Sequence, residues 1–168
     1  MKFEEARERY IQAWGALGSQ WGVNRTMAQI HALLMVAPQP LSADDIMTDL
    51  NISRGNANMN LRALIDWGLV RREFKSGERK EFFSAEKDIW LVARQVLIER
   101  KKRELEPIIK VLDDVHTVEG DKNDPRIKAF NDTIDQIKEF AQKTNNALEQ
   151  VTRSEGSWFW TMLSKIFK

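Results

Sequence analysis

The stretch from Gly55 to Arg62 combines amide, thioether and guanidinium side chains that can read the edges of DNA base pairs. When residues are placed at about 100° intervals around a helix, one face carries Gly55, Asn56, Asn58, Met59 and Arg62. Asparagine can pair with adenine and arginine with guanine through two hydrogen bonds, and methionine can contact a thymine methyl group. The pattern indicates a recognition helix for the major groove of DNA. The alternative interpretation is an ordinary polar surface.

The opposite face of this helix is apolar and predicts how the helix is held. Its apolar positions are Ala57, Leu61, Leu64 and Ile65. Ser53 is placed to cap the start of the helix, and Gly68, after Trp67, can take the left-handed conformation that ends it. A shorter helix is predicted to begin at Ser42, where Asp45 is spaced for a capping box. Two capped helices with so short a link predict a helix-turn-helix.

A basic hairpin is predicted directly after the second helix. Runs at 69–74 and 79–83 contain β-branched or aromatic residues and flank a turn with Gly77. Between Ser53 and Lys80 the chain has seven basic and three acidic residues, a local balance of +4, whereas the whole chain carries only +1. The positive charge is therefore expected where DNA would lie. The predicted DNA-binding residues are Ser53, Arg54, Gly55, Asn56, Asn58, Met59, Arg62, Lys75, Arg79 and Lys80.

The remaining chain divides into helical segments by its caps and breaks. We predict an N-terminal helix over 1–23 that contributes to dimerisation, a winged helix-turn-helix domain over 24–86, long dimerisation helices over 87–153 and an amphipathic aromatic segment over 154–168. Ser84 is predicted to cap a helix that begins at Ala85, and Pro107 is predicted to kink or break it. Gly15 and Gly18 in the first helix permit either close helix contact or a bend.

The predicted helix from Asp124-Pro125 to Arg153 has an apolar seam with steps of three and four residues. A small winged domain cannot cover the whole of such a seam, so we expect a second subunit to cover it. The predicted fold class is mainly α, with a winged helix-turn-helix domain, a two-stranded β wing, and N- and C-terminal dimerisation helices.

Several classes of function have little support in the composition. The chain has no cysteine and only two histidines, His31 and His116, which lie on different predicted helices. We therefore expect no metal site, no cofactor and no enzymatic activity. Because no run approaches the roughly 20 apolar residues of a membrane span, we expect a cytoplasmic protein. The aromatic segment at 158–168 is expected to fold back onto other helices, with membrane attachment as the alternative.

The block from Asn24 to Glu86 resembles the MarR-type winged-helix transcriptional regulators, and more closely their GbsR-like branch. The resemblance rests on PLSADDI (40–46), LNISRGN (50–56), LRAL (61–64), WGLVRR (67–72) and GERKEFF (77–83). It implies a homodimer joined through N- and C-terminal helices, with one recognition helix per subunit in successive major grooves and Arg79 in a minor groove. The leading hypothesis is a dimeric transcriptional repressor that binds a palindromic operator in double-stranded DNA. The competing interpretation is a winged-helix protein-interaction module without sequence-specific DNA binding.

Six tryptophans in 168 residues suggest a site for a small effector. Trp14, Trp21 and Trp90 are candidates for an aromatic cage around a quaternary ammonium ion, which cation–π attraction would hold. Characterised members of the GbsR-like branch are linked to choline or glycine betaine control, so the resemblance points the same way. The alternative, which we favour, is that these three side chains are large residues of the core or of a dimer interface.

Overall fold

The computed structural model describes residues 1–115, 118 and 124–153. The chain forms two compact units, the first from Met1 to Val92 and the second beginning at Ala93. The sequence-predicted linker at 119–123 and the aromatic segment at 154–168 lie outside the described residues, as does His116. In the described part of the chain, no helix is long and apolar enough to cross a membrane.

The first unit is a set of packed helices with a small antiparallel sheet. In chain order it contains α1 (Phe3–Gln20), α2 (Arg25–Val36), β1 (Leu41–Ser42), α3 (Ala43–Leu50), α4 (Arg54–Asp66), β2 (Val70–Phe74) and β3 (Glu81–Ala85). Strand β3 lies in the middle and pairs with both β1 and β2. Leu41 is opposite Phe83 in one pair, and Val70 is opposite Ala85 in the other. The predicted winged helix is confirmed. The two strands of its wing form a sheet with a short third strand, β1, which the sequence did not predict.

Hydrogen bonds at the helix starts fix the helix-turn-helix as the sequence predicts. The Asp45 backbone N–H donates to Ser42 Oγ over 3.2 Å, and the Ser42 N–H donates to Asp45 Oδ2 over 2.9 Å, which completes the capping box. The Asn56 N–H donates to Ser53 Oγ at the start of α4 over 3.3 Å. Asn51, with a φ of 50°, makes the left-handed turn between the two helices.

The start of the next helix is later than the sequence predicts. Ser84 does not cap a helix at Ala85, because the pairing of β3 with β2 continues through both residues. Helix α5 (Ile89–Arg100) begins instead after Asp88, whose Oδ1 accepts from the Trp90 N–H over 2.8 Å. The sequence pattern missed this because Ser84 and Asp88 are both good caps, and only the strand pairing distinguishes them.

The core of the first unit is built from α2, α3 and α4. Its largest fully buried side chains are Ile30, Leu33, Leu34, Ile46, Leu61 and Leu64. His31 is buried beside them, and burial lowers its pKa from 6.5 to about 4, because the charged imidazolium would lose its hydration. His31 is therefore neutral at pH 7 and is a core residue of α2.

The two glycines of α1 allow close contact with α2. A Cβ atom at Gly18 would lie 2.6 Å from the Ala28 Cβ, and one at Gly15 would lie 2.6 Å from the Gln29 Cγ. Both distances are well below the roughly 3.5–4.0 Å of a favourable carbon–carbon contact. The absence of side chains at these positions is therefore what lets the helices approach.

The second unit consists of the end of α5, a π-helical turn (Lys101–Leu105), α6 (Glu106–Val115) and α7 (Pro125–Arg153). The chain does not break at Pro107; the π-helical turn precedes it, at the position where a proline ring would crowd the carbonyl four residues earlier. Lys101 Nζ lies 3.0 Å from Glu149 Oε1, so α7 is attached to the π-helical turn. The hydrogen bond to Glu149 is the main reason that the pKa of Lys101 is raised.

We predict that Gly18→Ala lowers the free energy of unfolding by about 1 kcal/mol. Overlap with the rigid Ala28 methyl costs roughly 1–3 kcal/mol, which exceeds or offsets the gain of up to about 1 kcal/mol in helix preference. Gly55→Ala is the matched control, because a Cβ there meets nothing within 4 Å. In urea denaturation, the unfolding midpoint of Gly18→Ala should be lower than that of the wild type. The midpoint of Gly55→Ala should equal or exceed that of the wild type. Equal stabilisation of both variants would contradict the close approach of the helices.

Candidate nucleic-acid interface

Helix α4 buries one face and exposes the face that the sequence assigns to base recognition. Ala57, Leu61 and Leu64 are at most 2% exposed, whereas Met59 is 58% exposed. Gly55, Asn58 and Arg62 are exposed as well. The residue types that can read base edges therefore share one open surface of a helix whose position the core determines.

Asn60 is a residue of this site that the sequence interpretation missed. It is 3% exposed, and its Nδ2 donates to the Asn56 backbone carbonyl over 2.9 Å and to Asn56 Oδ1 over 2.7 Å. Asn56 is half-buried, and its side-chain carbonyl is already engaged. A base contact by Asn56 would use its Nδ2 donor rather than pair in two-bond fashion with adenine, which leaves Asn58 for that role. The signal was an asparagine in an apolar stripe, since buried amides need partners.

The start of α4 presents open backbone around Gly55. No atom lies within 4 Å of the position that a Cβ would occupy there. Ser53 caps the helix and Arg54 is its first residue, so the helix N-terminus, which favours anions through its free N–H groups, lies beside the recognition face. This geometry suits a phosphate group at the edge of a groove.

Two predicted contact residues of the wing between β2 and β3, Lys75 and Arg79, have different surroundings. The Lys75 ammonium lies over the Phe82 ring, 3.9 Å from its centroid, so this cation belongs to the wing's own packing. Gly77, with a φ of 83°, allows the tight turn, and the Glu78 N–H donates to the Lys75 carbonyl across it. Arg79 follows the turn and is exposed. Arg79 is therefore the better placed of the two for a groove.

Ion pairs reduce the positive charge of this surface below the value counted along the sequence. Arg71 pairs with Glu86 at 2.8 Å and Arg72 with Glu81 at 3.2 Å. Glu81, Glu86 and Asp44, which pairs with Arg54, lie outside the window from 53 to 80. When these three acids are included, the local net charge falls from +4 to +1. The sequence count was too high because folding brings in acids from beyond the window: the β2–β3 pairing brings in Glu81 and Glu86, and helix α3 brings in Asp44.

Asp44, on α3, contacts two of the predicted DNA-binding cations. Its Oδ1 lies 2.8 Å from Arg54 Nη2, and its Oδ2 lies 3.5 Å from Lys80 Nζ. Within residues 1–115 and 124–153, neither Arg62 nor Arg79 has an ion-pair partner. The cations of the interface thus differ: Arg54 and Lys80 are held by a carboxylate, while Arg62 and Arg79 face solvent.

The three tryptophans proposed for an effector lie in the first unit. Trp14 is half-buried and its ring is 5.7 Å from the Tyr10 ring, at an angle of 40°. Trp21 follows the end of α1 and is 56% exposed, and Trp90, in the first turn of α5, is 41% exposed. Trp21 and Trp90 are therefore not core residues of a single chain. A dimer-interface position for them and a ligand site at the three tryptophans both stay predictions.

The described residues differ in what they offer to a metal ion and to a small ligand. Over residues 1–115 and 124–153, no group of three or more histidine, aspartate or glutamate side chains is placed to hold a metal ion. A surface pocket of about 370 Å³ lies in the second unit. It is lined by Val118, Asp124, Arg126, Ile127 and Phe130, and includes none of the three candidate tryptophans.

The helix-turn-helix and its wing match a known family of proteins. Residues 21–80 match the family model described as the MarR family. That range covers α2, the helix-turn-helix and the wing up to Lys80. The resemblance of this block to MarR-type regulators is therefore confirmed, and the match does not distinguish the GbsR-like branch. The match covers just over a third of the chain. No curated protein matches the chain.

A solved structure is similar over most of the chain. It is titled "Crystal Structure of a transcriptional regulator" and superposes with a TM-score of 0.55 at 17% sequence identity, covering 86% of this chain and 99% of that chain. At this identity the likeness concerns the fold. The winged-helix architecture, and helices beyond it in sequence, are therefore shared with that protein.

Proposed function

We propose that this chain is a transcriptional regulator that binds specific sequences in double-stranded DNA. The observation that carries the proposal is the open face of α4, where Gly55, Asn58, Met59 and Arg62 project from a helix whose opposite face is buried in the core. A face with hydrogen-bond donors, acceptors and a thioether suits the major groove, where each base pair presents a distinct pattern. The MarR-family match over the same residues supports this function.

We further propose that the regulator acts as a homodimer. In the second unit, Ile108, Val111, Ile137 and Phe140 are exposed, and Phe140 is 72% exposed. Large apolar side chains on neighbouring helices α6 and α7 favour burial against a partner. A second copy would place two recognition helices in successive major grooves, about one helical turn of DNA apart. The operator would then be palindromic.

The finer assignments follow from this arrangement and from the resemblance. We propose that the dimer represses by occupying its operator, that it belongs to the GbsR-like branch and that it works in the cytoplasm with the DNA. A small effector at Trp14, Trp21 and Trp90 would act by changing the spacing of the recognition helices.

The second candidate is a winged-helix module that binds proteins. The observation that favours it is the near-neutral charge of the surface once Asp44, Glu81 and Glu86 are included. Non-specific attraction to DNA depends on uncompensated cations, and few remain here. Arg62 and Arg79 weigh against this candidate, because both face solvent on the two elements that would enter grooves.

We predict that Arg62→Ala and Arg79→Ala affect DNA binding differently. An arginine–base pair contributes roughly 1–3 kcal/mol to discrimination, so Arg62→Ala should weaken binding to a selected operator much more than to random DNA. Arg79→Ala should weaken both and reduce the log–log salt slope by about 0.9 for each phosphate that the protein no longer neutralises. Fluorescence anisotropy on both duplexes between about 50 and 200 mM salt measures this. Equal weakening on both duplexes for Arg62→Ala would contradict the recognition role of α4.

We predict that Ile137→Asp with Phe140→Asp converts the protein to monomers. Both side chains are exposed within one chain, so the charges should spare its fold while opposing burial against a second copy. Gln136→Asp with Gln142→Asp adds the same charge at exposed positions of α7 and serves as the control. Sedimentation velocity at micromolar concentration should show dimers for the wild type and control only. Monomeric wild-type protein would contradict the proposed assembly.

A further inference from the structure

Asp44 connects the three parts of the proposed DNA-binding surface. It lies in the first turn of α3, while its two cationic partners are Arg54, the first residue of α4, and Lys80, at the end of the wing turn. The Arg54 and Lys80 side chains are 68% and 63% exposed. A phosphate could therefore reach both cations, but it would meet the Asp44 carboxylate at the same place.

The neighbouring carboxylate has a different task. Asp45 Oδ2 accepts from the Ser42 backbone N–H over 2.9 Å and from Ser42 Oγ over 2.7 Å. These hydrogen bonds lower the pKa of Asp45, and the nearby charges of Lys80 and Lys75 lower it further. Asp45 thus completes the helix cap, which leaves Asp44 as the carboxylate that contacts the cations directly. Removal of the Asp44 charge should accordingly leave the capping box in place.

We propose that Asp44 is a specificity-determining residue, which holds Arg54 and Lys80 and opposes their contact with phosphates on non-specific DNA. This inference rests on the proposed DNA-binding function. A carboxylate and a phosphate compete for the same guanidinium and ammonium donors, and the fixed carboxylate also repels the phosphate. Each phosphate contact that Asp44 blocks removes one counterion-release step from binding.

The two kinds of DNA should respond unequally to this competition. Random DNA is bound through phosphate contacts almost alone, whereas an operator adds base contacts from α4. The base contacts align the backbone and help phosphates to displace Asp44 from its partners. Asp44 should therefore weaken random binding more than operator binding, and so raise the ratio between the two affinities.

The test compares full-length wild type and Asp44→Asn on two duplexes of equal length, one selected from a randomised library and one of random sequence. Removing one unit charge about 5 Å from a phosphate is expected to tighten random binding roughly two- to four-fold at about 0.1 M salt. The log–log salt slope on random DNA should steepen by about 0.9 to 1.8, as one or two further phosphates are neutralised. The ratio of operator to random affinity should fall.

Two matched variants separate local competition from general charge. Asp49→Asn removes the same charge from the same helix, but Asp49 pairs with Arg7 of α1. Its effect on random DNA should be smaller than that of Asp44→Asn. In a background with Arg54→Gln and Lys80→Gln, Asp44→Asn should no longer steepen the salt slope, because the cations it would release are gone. Its effect on affinity should shrink to the direct repulsion between the carboxylate and the phosphate. Urea denaturation of each variant identifies any weakening that comes from unfolding.

The possible outcomes separate this inference from the DNA-binding function. Tighter random binding with a steeper slope for Asp44→Asn alone supports the inference. Equal behaviour of Asp44→Asn and Asp49→Asn, or weaker binding of Asp44→Asn to both duplexes, overturns it and leaves the DNA-binding function standing. A wild-type protein that binds neither duplex overturns the proposed function, and this inference with it.

Discussion

Burial of the apolar face of α4 is the constraint on which the rest of the structure depends. Ala57, Leu61 and Leu64 are nearly inaccessible to solvent and pack in the core that α2 and α3 complete. Because a helix has fixed angular spacing, this burial also decides which side chains point outward. The proposed chemistry of Asn58 and Arg62 is therefore a consequence of core packing, and the caps at Ser42 and Ser53 determine where the two helices of the helix-turn-helix begin.

The electrostatics of the surface add a second constraint. Five of its cations are paired with acids or lie over a ring: Arg54 and Lys80 contact Asp44, Arg71 contacts Glu86, Arg72 contacts Glu81, and Lys75 covers Phe82. Exposed ion pairs contribute little to stability, about 0–1 kcal/mol each. Their effect on the proposed DNA binding would be larger, because they lower the non-specific attraction that a basic surface exerts on nucleic acid. Base contacts would then carry a greater share of the affinity.

Local signals made most of this fold predictable from the sequence. The caps at Ser42 and Ser53, the glycine at Gly68 and the period of the apolar residues act within a few positions, so a linear pattern contains them. The misassigned cap at Ser84 and the third strand depend on pairing between distant segments, which a pattern does not show. The Asn60–Asn56 hydrogen bonds and the Asp44 ion pairs likewise arise only when folding brings the partners together. The same limit explains why the charge of the site was overestimated.

The most direct test of the central claim, that α4 reads base sequence, is selection of duplexes from a randomised library by the full-length protein, followed by footprinting of the recovered sequence. We expect enrichment of a two-fold symmetric site with half-sites roughly 10 base pairs apart, each protected in the major groove. Retention of all duplexes to the same extent, with no sequence enriched over the starting library, would contradict the claim.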